Sequence, residues 1–357
     1  MQNEEQDGRT PTNPEQGSAA EAAAASAQNA SNAPAVSAAQ RTSLEVLSDR
    51  LESVRAEIAK VIVGQASMID QLIAAMLVDG HVLIEGVPGV AKTLAARLLA
   101  QTLDVDFARI QFTPDLMPSD VIGTNVFNPR ESRFDFHRGP IFANVVLIDE
   151  INRAPAKTQA ALFEAMEERQ ATVDGTTYLF PPPFIVLATQ NPVEHEGTYR
   201  LPEAQLDRFM FKIEVGYPEL AEETRILVAG HERRGRPQTA EVNAVLSGAD
   251  LLALRETVHK VHVDPKLIEY IAKLVQQTRT SPSIFLGGSP RASLSILAAS
   301  KAFAVMSARD FVIPEDIQLA AFPVLRHRLI LTPEREMEGT RPDDVIKELI
   351  KRVEVPR

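Results

Sequence analysis

The sequence predicts an α/β fold, a parallel sheet flanked by helices and followed by an all-α domain. Three observations carry this. Five short apolar, β-rich runs alternate with helical patterns, the mark of βαβ units. A glycine-rich loop joins the first of these runs to a helix. After Tyr217-Pro218 the apolar spacing is helical throughout.

In chain order, the first segment stands apart. Residues 1–41 are expected to be a disordered tail. Residues 1–40 hold 12 alanines and no aromatic residue, and their only large apolar side chains are Met1 and Val36. Such a segment cannot bury enough surface to offset its ordering entropy. Glu4, Glu5, Asp7, Glu15 and Glu21 give it an acidic start, unlike a signal peptide. Thr42 or Ser43 can cap the first helix, whose apolar face is Leu44, Leu47, Leu51, Val54 and Ile58. A second helix is expected over Met68–Val78. Strands are expected at His81–Glu85, Phe107–Phe112, Asn144–Asp149, Phe184–Gln190 and Phe209–Val215. Two insertions interrupt the alternation. Residues 113–140 contain alternating stretches around Val126 and Asp135, then a helix start at Gly139-Pro140. Residues 171–180 turn at Asp174-Gly175, a hairpin signal. Residues 42–217 thus form the expected α/β domain. Residues 218–357 form the expected helical domain, with helix starts near Pro265, Pro290 and Pro314.

Composition narrows the chemistry. Hydrophobic residues are 45% and charged residues 24%, which excludes wholesale disorder. Cysteine is absent, so disulfides, thiolate zinc sites, iron–sulfur clusters and cysteine nucleophiles are excluded. A reducing compartment, the cytoplasm, is the expected location. No stretch reaches the ~18 apolar residues of a membrane span. The net charge of −11 argues against nucleic acid as the main partner.

Gly86-Val87-Pro88-Gly89-Val90-Ala91-Lys92-Thr93, followed by Leu94, lies between a strand and a helix. That is the setting in which backbone N–H groups cradle phosphate. Lys92 would bridge the β- and γ-phosphates of a nucleotide and Thr93 would ligate Mg²⁺. Ala91 stands where glycine is usual; it is expected to be helical already, with negative φ. Asp149 and Glu150 end an apolar strand. Asp149 can hold Mg²⁺, and Glu150 can deprotonate an attacking water. Asn191 ends the next strand, where an amide can hold that water or the γ-phosphate. Arg208 precedes the last strand. Arg291 lies at a helix start, where a cation is mildly unfavourable and needs an anionic partner or solvent.

This ordered set resembles the AAA+ ATPases and, more narrowly, the MoxR family. The narrower likeness rests on Arg109-Ile110-Gln111-Phe112-Thr113-Pro114-Asp115-Leu116-Met117-Pro118, Gly139-Pro140-Ile141-Phe142, Asp149-Glu150-Ile151-Asn152-Arg153-Ala154 and Glu203-Ala204-Gln205-Leu206-Asp207-Arg208-Phe209. It spans about residues 42–335, and Ala91 before Lys92 is at home in it. The resemblance implies a P-loop NTPase fold with a lid domain, ATP and Mg²⁺ as ligands, and a hexameric ring. It implies that Lys92 and Thr93 are Walker A, Asp149 and Glu150 Walker B, and Asn191 sensor 1. Arg208 is implied as an arginine finger for the next subunit, and Arg291 as sensor 2 for its own nucleotide. Val63 and Gly64 match the segment near the adenine. Residues 113–140 match the helix-2 insertion and 171–180 the hairpin before sensor 1. The resemblance leaves Arg153 between no assigned role and a second trans-acting arginine. Arg200 stands where a smaller residue or proline is expected.

The implied activity is chaperone-like remodelling or maturation of a protein client, with a von Willebrand factor A-domain protein as adaptor. The alternatives are a nucleic-acid motor on the same module and a nucleotide-gated scaffold with little turnover. His195, His259 and His262 read as solvated residues rather than metal ligands, and Arg233-Arg234-Gly235-Arg236 as a solvated loop. Phe134 and Phe136 are either core or substrate-facing.

Overall fold

The computed structural model describes residues 38–191, 199 and 201–356. Most of the expected tail, with His195 and Arg200, lies outside the described residues. Leu44–Arg357 forms one compact unit.

Helix α1 (Ala38–Ala59) buries Leu47, Leu51, Val54 and Ile58, the face read from the sequence. Thr42 and Ser43 do not cap it; they lie inside it, because Ala38, Ala39 and Gln40 are themselves good helix formers. Helix α2 (Ala66–Leu77) leads to β1 (Val82–Gly86), α3 (Lys92–Thr102) and β2 (Phe107–Gln111). Then come α4 (Pro118–Ile122) and an antiparallel hairpin, β3 (Gly123–Asn128) with β4 (Arg133–Arg138). The expected helix at Gly139-Pro140 is only a 3-10 turn, Pro140–Phe142, since β5 (Val145–Asp149) begins so soon after it. Helix α5 (Ala156–Glu168) follows, then a second hairpin, β6 (Gln170–Val173) with β7 (Thr176–Leu179). Asp174 and Gly175 both have positive φ at its turn, as the sequence signal requires. Strand β8 (Ile185–Gln190), α6 (Glu203–Leu206) and β9 (Phe211–Val215) complete the α/β part.

The sheet order is β2-β5-β8-β1-β9, all parallel. Its alternate residues feed two cores. Val145 and Leu147 of β5 face one, and Val146 and Ile148 the other. Both faces are covered, so the strands read as unbroken apolar runs. The chain leaves β1 toward β2 and leaves neighbouring β8 toward β9, in opposite directions. That divergence opens a crevice at the carboxyl ends of the strands. His81 is buried just before β1; its Nδ1 accepts from Val186 N at 3.0 Å and its Nε2 faces Met166 O at 3.1 Å. Burial, then the nearby Arg169, pulls its pKa down to about 4, so the ring is neutral at physiological pH.

The helical part comprises α7 (Leu220–Arg233), α8 (Gly248–His259), α9 (Pro265–Thr280), α10 (Pro290–Met306), α11 (Pro314–Leu325), α12 (Pro333–Met337) and α13 (Pro342–Arg352). It is not purely helical. Ile284–Leu286 (β10) pairs with Ile330–Leu331 (β11). Strands of three and two residues are too short to show a period of two.

A buried arginine joins the two parts. Arg328 Nε donates to Asp207 Oδ1 at 2.6 Å, and its terminal nitrogens donate to the carbonyls of Asp207, Phe209, Met210 and Val324. Ser289 Oγ, beside the start of α10, donates to the other Asp207 oxygen at 3.1 Å. Asp207→Ala should therefore leave a buried guanidinium without its anion. Denaturant unfolding should show a loss of about 3 kcal/mol; a change under 1 kcal/mol would mean that the carbonyls alone satisfy Arg328.

Candidate functional site

The crevice is a cavity of about 510 Å³ at the carboxyl ends of β1, β5 and β8. Pro88, Gly89, Val90, Ala91, Lys92, Thr93 and Leu94 line it. Gly86 and Val87 do not. Gly86 ends β1, where an added Cβ would lie 2.6 Å from Val215 O, and Val87 packs on the core. Gly89 has φ +88°. Ala91 departs from expectation: its φ is +61°, left-handed, and it caps α3 rather than belonging to it. The helix starts at Lys92, and Ala95 N donates to Ala91 O at 2.8 Å as the first helical bond. A non-glycine residue in this conformation costs about 1 kcal/mol. The first-turn N–H groups of α3 have no partner within the helix and face an anion site. Lys92 Nζ donates to Gly86 O across the base of the loop.

The acidic pair is tightly held. Asp149 Oδ1 accepts from Thr189 Oγ1 at 3.1 Å and lies 3.4 Å from Thr93 Oγ1. Arg109 Nε donates to Asp149 Oδ2 at 2.6 Å. Glu150 adopts the left-handed region, with φ 56°, and its N–H donates to Thr189 Oγ1 at 3.1 Å. Its Oε2 accepts from Gln111 Nε2 at 2.9 Å and pairs with Arg153 Nε at 2.8 Å. Arg153 thus holds the glutamate of its own chain. Asn191 is buried and lines the same cavity. Arg109, Gln111 and Thr189 belong to the site as well. Gln111 pairs with Asp149 across β2 and β5, so Arg109 and Gln111 share one face of β2, and Thr189 lies near the end of β8, the strand on the other side of β5.

Val61, Ile62, Val63, Pro218 and Ile226 form an apolar wall, with Gln65 and Gln238 among them. Gly64 does not line the cavity; it turns the chain at φ +71°, where a Cβ would meet the Glu222 carboxylate at 2.5 Å. This wall suits a flat heterocycle. The Thr93 hydroxyl and the Asp149 carboxylate are hard oxygen donors that suit Mg²⁺.

Arg208 and Arg291 lie elsewhere. Both line a second cavity, of about 310 Å³, which shares no lining residue with the first. Arg208 Nε pairs with Glu167 Oε2 at 3.0 Å, and Arg291 pairs with Glu167 Oε1 at 2.6 Å. Arg291 thus lines the second cavity, not the one that carries Lys92 and Thr93. Ser289, bonded to Asp207, fixes the start of α10 beside Arg208. Glu167 is the anionic partner that Arg291 needed at a helix start.

The family model described as "ATPase family associated with various cellular activities (AAA)" matches residues 81–211, and an "AAA lid domain" model matches residues 276–349. Chaperone MoxR1 of Mycobacterium tuberculosis is 44% identical over 316 residues, 86% of this chain and 82% of its own. The chain belongs to the MoxR family of AAA+ ATPases. An uncharacterized Bacillus subtilis protein, YeaC, is 48% identical over 299 residues, covering 84% of this chain and 92% of its own. A solved structure from Cytophaga hutchinsonii superposes with TM-score 0.81 at 42% identity, covering 88% of this chain and 97% of that one. No described helix is long and apolar enough to cross a membrane, and no group of three or more His, Asp or Glu gathers for a metal among the described residues. Arg233 pairs with Glu241 at 3.0 Å, and Arg234 and Gly235 turn the chain after α7.

Proposed function

We propose that the chain is a ring-forming ATPase that couples ATP binding and hydrolysis to remodelling or maturation of a protein client. One observation carries this: the catalytic set is split. Lys92, Thr93, Asp149, Glu150 and Asn191 meet in one cavity, while Arg208 and Arg291 are gathered in another. A second subunit completes the first cavity if it offers both arginines. This reading replaces a role for Arg291 within its own subunit.

Within the cavity, the loop amides and Lys92 bind the phosphates, and Val61, Ile62 and Val63 hold the base. Thr93 and Asp149 would hold Mg²⁺, which would supply neutralising charge to the phosphate oxygens. Thr189 orients Asp149, and Asn191 stands ready to hold the attacking water. Glu150 takes that water's proton once its carboxylate turns from Gln111.

The client side is the pair of hairpins. Asn125 Nδ2 donates to Asp174 Oδ2 at 2.6 Å, and Phe136 stacks on Tyr178 at 4.1 Å, so the two hairpins pack against each other. Phe127, Phe134 and Leu179 are exposed on them, at 51%, 69% and 72%. Phe134 is therefore on the surface and Phe136 between the hairpins. A von Willebrand factor A-domain adaptor and a hexameric ring complete the proposal. Capture on Glu150→Gln protein with ATP, against ADP, should enrich such an adaptor and its client. Turnover stimulated by single-stranded nucleic acid at physiological salt, with no protein enriched, would overturn the reading in favour of a nucleic-acid motor.

A further inference from the structure

The second cavity contains a carboxylate, Glu167, that the proposed mechanism does not use. Glu167 lies one residue before the end of α5 and places one carboxylate oxygen on each of two arginines. Arg208 is located twice by this helix. Its guanidinium lies 5.9 Å from the Phe163 ring, and Phe163 and Glu167 are four residues apart, on one face. The helix is itself fixed. Thr158, Gln159, Leu162, Phe163 and Met166 are buried, and Gln159 Nε2 donates to Ile151 O at 3.2 Å. Arg291 arrives from α10, whose start is tied to Asp207 through Ser289. The carboxylate is thus the point where the α/β part and the helical part place their cations side by side.

Two guanidinium groups brought this close repel each other, and the shared carboxylate offsets that repulsion. The Arg291 hydrogen bond, and then the charges of Arg208 and Arg291, hold the Glu167 carboxyl below the usual glutamate range, so it is ionised at neutral pH. Its ion pair with Arg208 is made through Nε, the inner nitrogen of the fork. Its ion pair with Arg291 is made through one terminal amino group. The remaining donors of both forks are those that suit a phosphate, which guanidinium groups bind side-on.

We propose that Glu167 is a positioning residue that assembles Arg208 and Arg291 into one preorganised unit for the γ-phosphate held by the neighbouring subunit. This rests on the reading that both arginines serve that neighbour. Glu167 touches no reacting atom. It acts by holding two flexible side chains in the geometry in which the transition state needs them, so the ordering is complete before the phosphate arrives.

The test uses the full-length protein. Glu167→Ala should lower kcat on the order of 10-fold, the size expected for losing hydrogen bonds to charged groups. KM for ATP should stay within about twofold, because the binding cavity of the same chain is untouched. Glu167→Gln should lose less, since its amide oxygen still accepts from one arginine. In mixed rings, Lys92→Ala subunits cannot hydrolyse but carry intact Glu167, Arg208 and Arg291. Adding them should raise turnover per Glu167→Ala subunit. Arg208→Ala mixed with Lys92→Ala runs in parallel.

If Arg208→Ala is restored by mixing and Glu167→Ala is not, Glu167 acts inside its own chain and the proposal fails alone. If neither is restored in a confirmed mixed ring, the trans reading fails and takes the proposal with it. A kcat at or above wild type in Glu167→Ala would show that the carboxylate withholds the arginines instead of presenting them.

Discussion

Arg208→Ala should lower hydrolysis on the order of 10³–10⁵-fold while leaving nucleotide binding intact. Charge develops on the γ-phosphoryl oxygens during transfer, and a guanidinium placed there stabilises it in a water-poor site. Arg208 does not line the cavity that carries Lys92 and Thr93, so its loss cannot weaken binding within the same chain. Lys92→Ala protein has the opposite defect. It should lose tight ATP binding, since the β/γ-phosphate charge goes unpaired. Mixed rings should then regain part of the activity, because each subunit supplies what its neighbour lacks. Steady-state phosphate release across a mixing series measures this. Mixed rings confirmed by mass, with no regain, would place Arg208 outside the neighbour's site.

The second large effect concerns the water. Glu150→Gln should bind ATP with near wild-type affinity and hydrolyse it on the order of 10²–10⁴-fold more slowly, the usual contribution of a general base. The amide is the same size as the carboxylate, and its oxygen can still accept from Gln111 and Arg153, the two partners of Glu150 Oε2. Geometry is therefore kept while basicity is lost. Fluorescent-nucleotide titration and single-turnover phosphate release separate the two quantities. Wild-type turnover in this variant would remove Glu150 from the mechanism and leave Asp149 as the remaining carboxylate.

Much of this molecule was legible without coordinates, because the signals were local. Five buried strands flanked by helices announce themselves by unbroken apolar runs such as Val145–Ile148. The loop Gly86–Thr93 is recognisable because phosphate binding needs small residues and a helix start in contiguous sequence. Asp174-Gly175 fixes a tight turn through two residues alone. The same locality explains the misses. Ala91 was expected to be helical because its neighbour Lys92 is, yet the helix needs a cap, and φ at one residue is set by where the first hydrogen bond closes. The ribbon of β10 and β11 joins residues more than 40 positions apart, with too few residues in each strand to show a pattern.

The sequence by itself determined the parallel sheet, the phosphate loop, the acidic pair and the presence of two candidate arginines. Only the tertiary structure decided who their partners are. Register across β2 and β5 brings Arg109 and Gln111 to the carboxylates of Asp149 and Glu150. Arg328, which no motif marked, is buried against Asp207 and sets where the helical part docks. That docking carries Arg291 away from the loop of its own chain and onto Glu167, beside Arg208. Ion pairs between residues 41 and 124 positions apart have no sequence period to reveal them. Such pairs exist only after packing has chosen which surfaces meet.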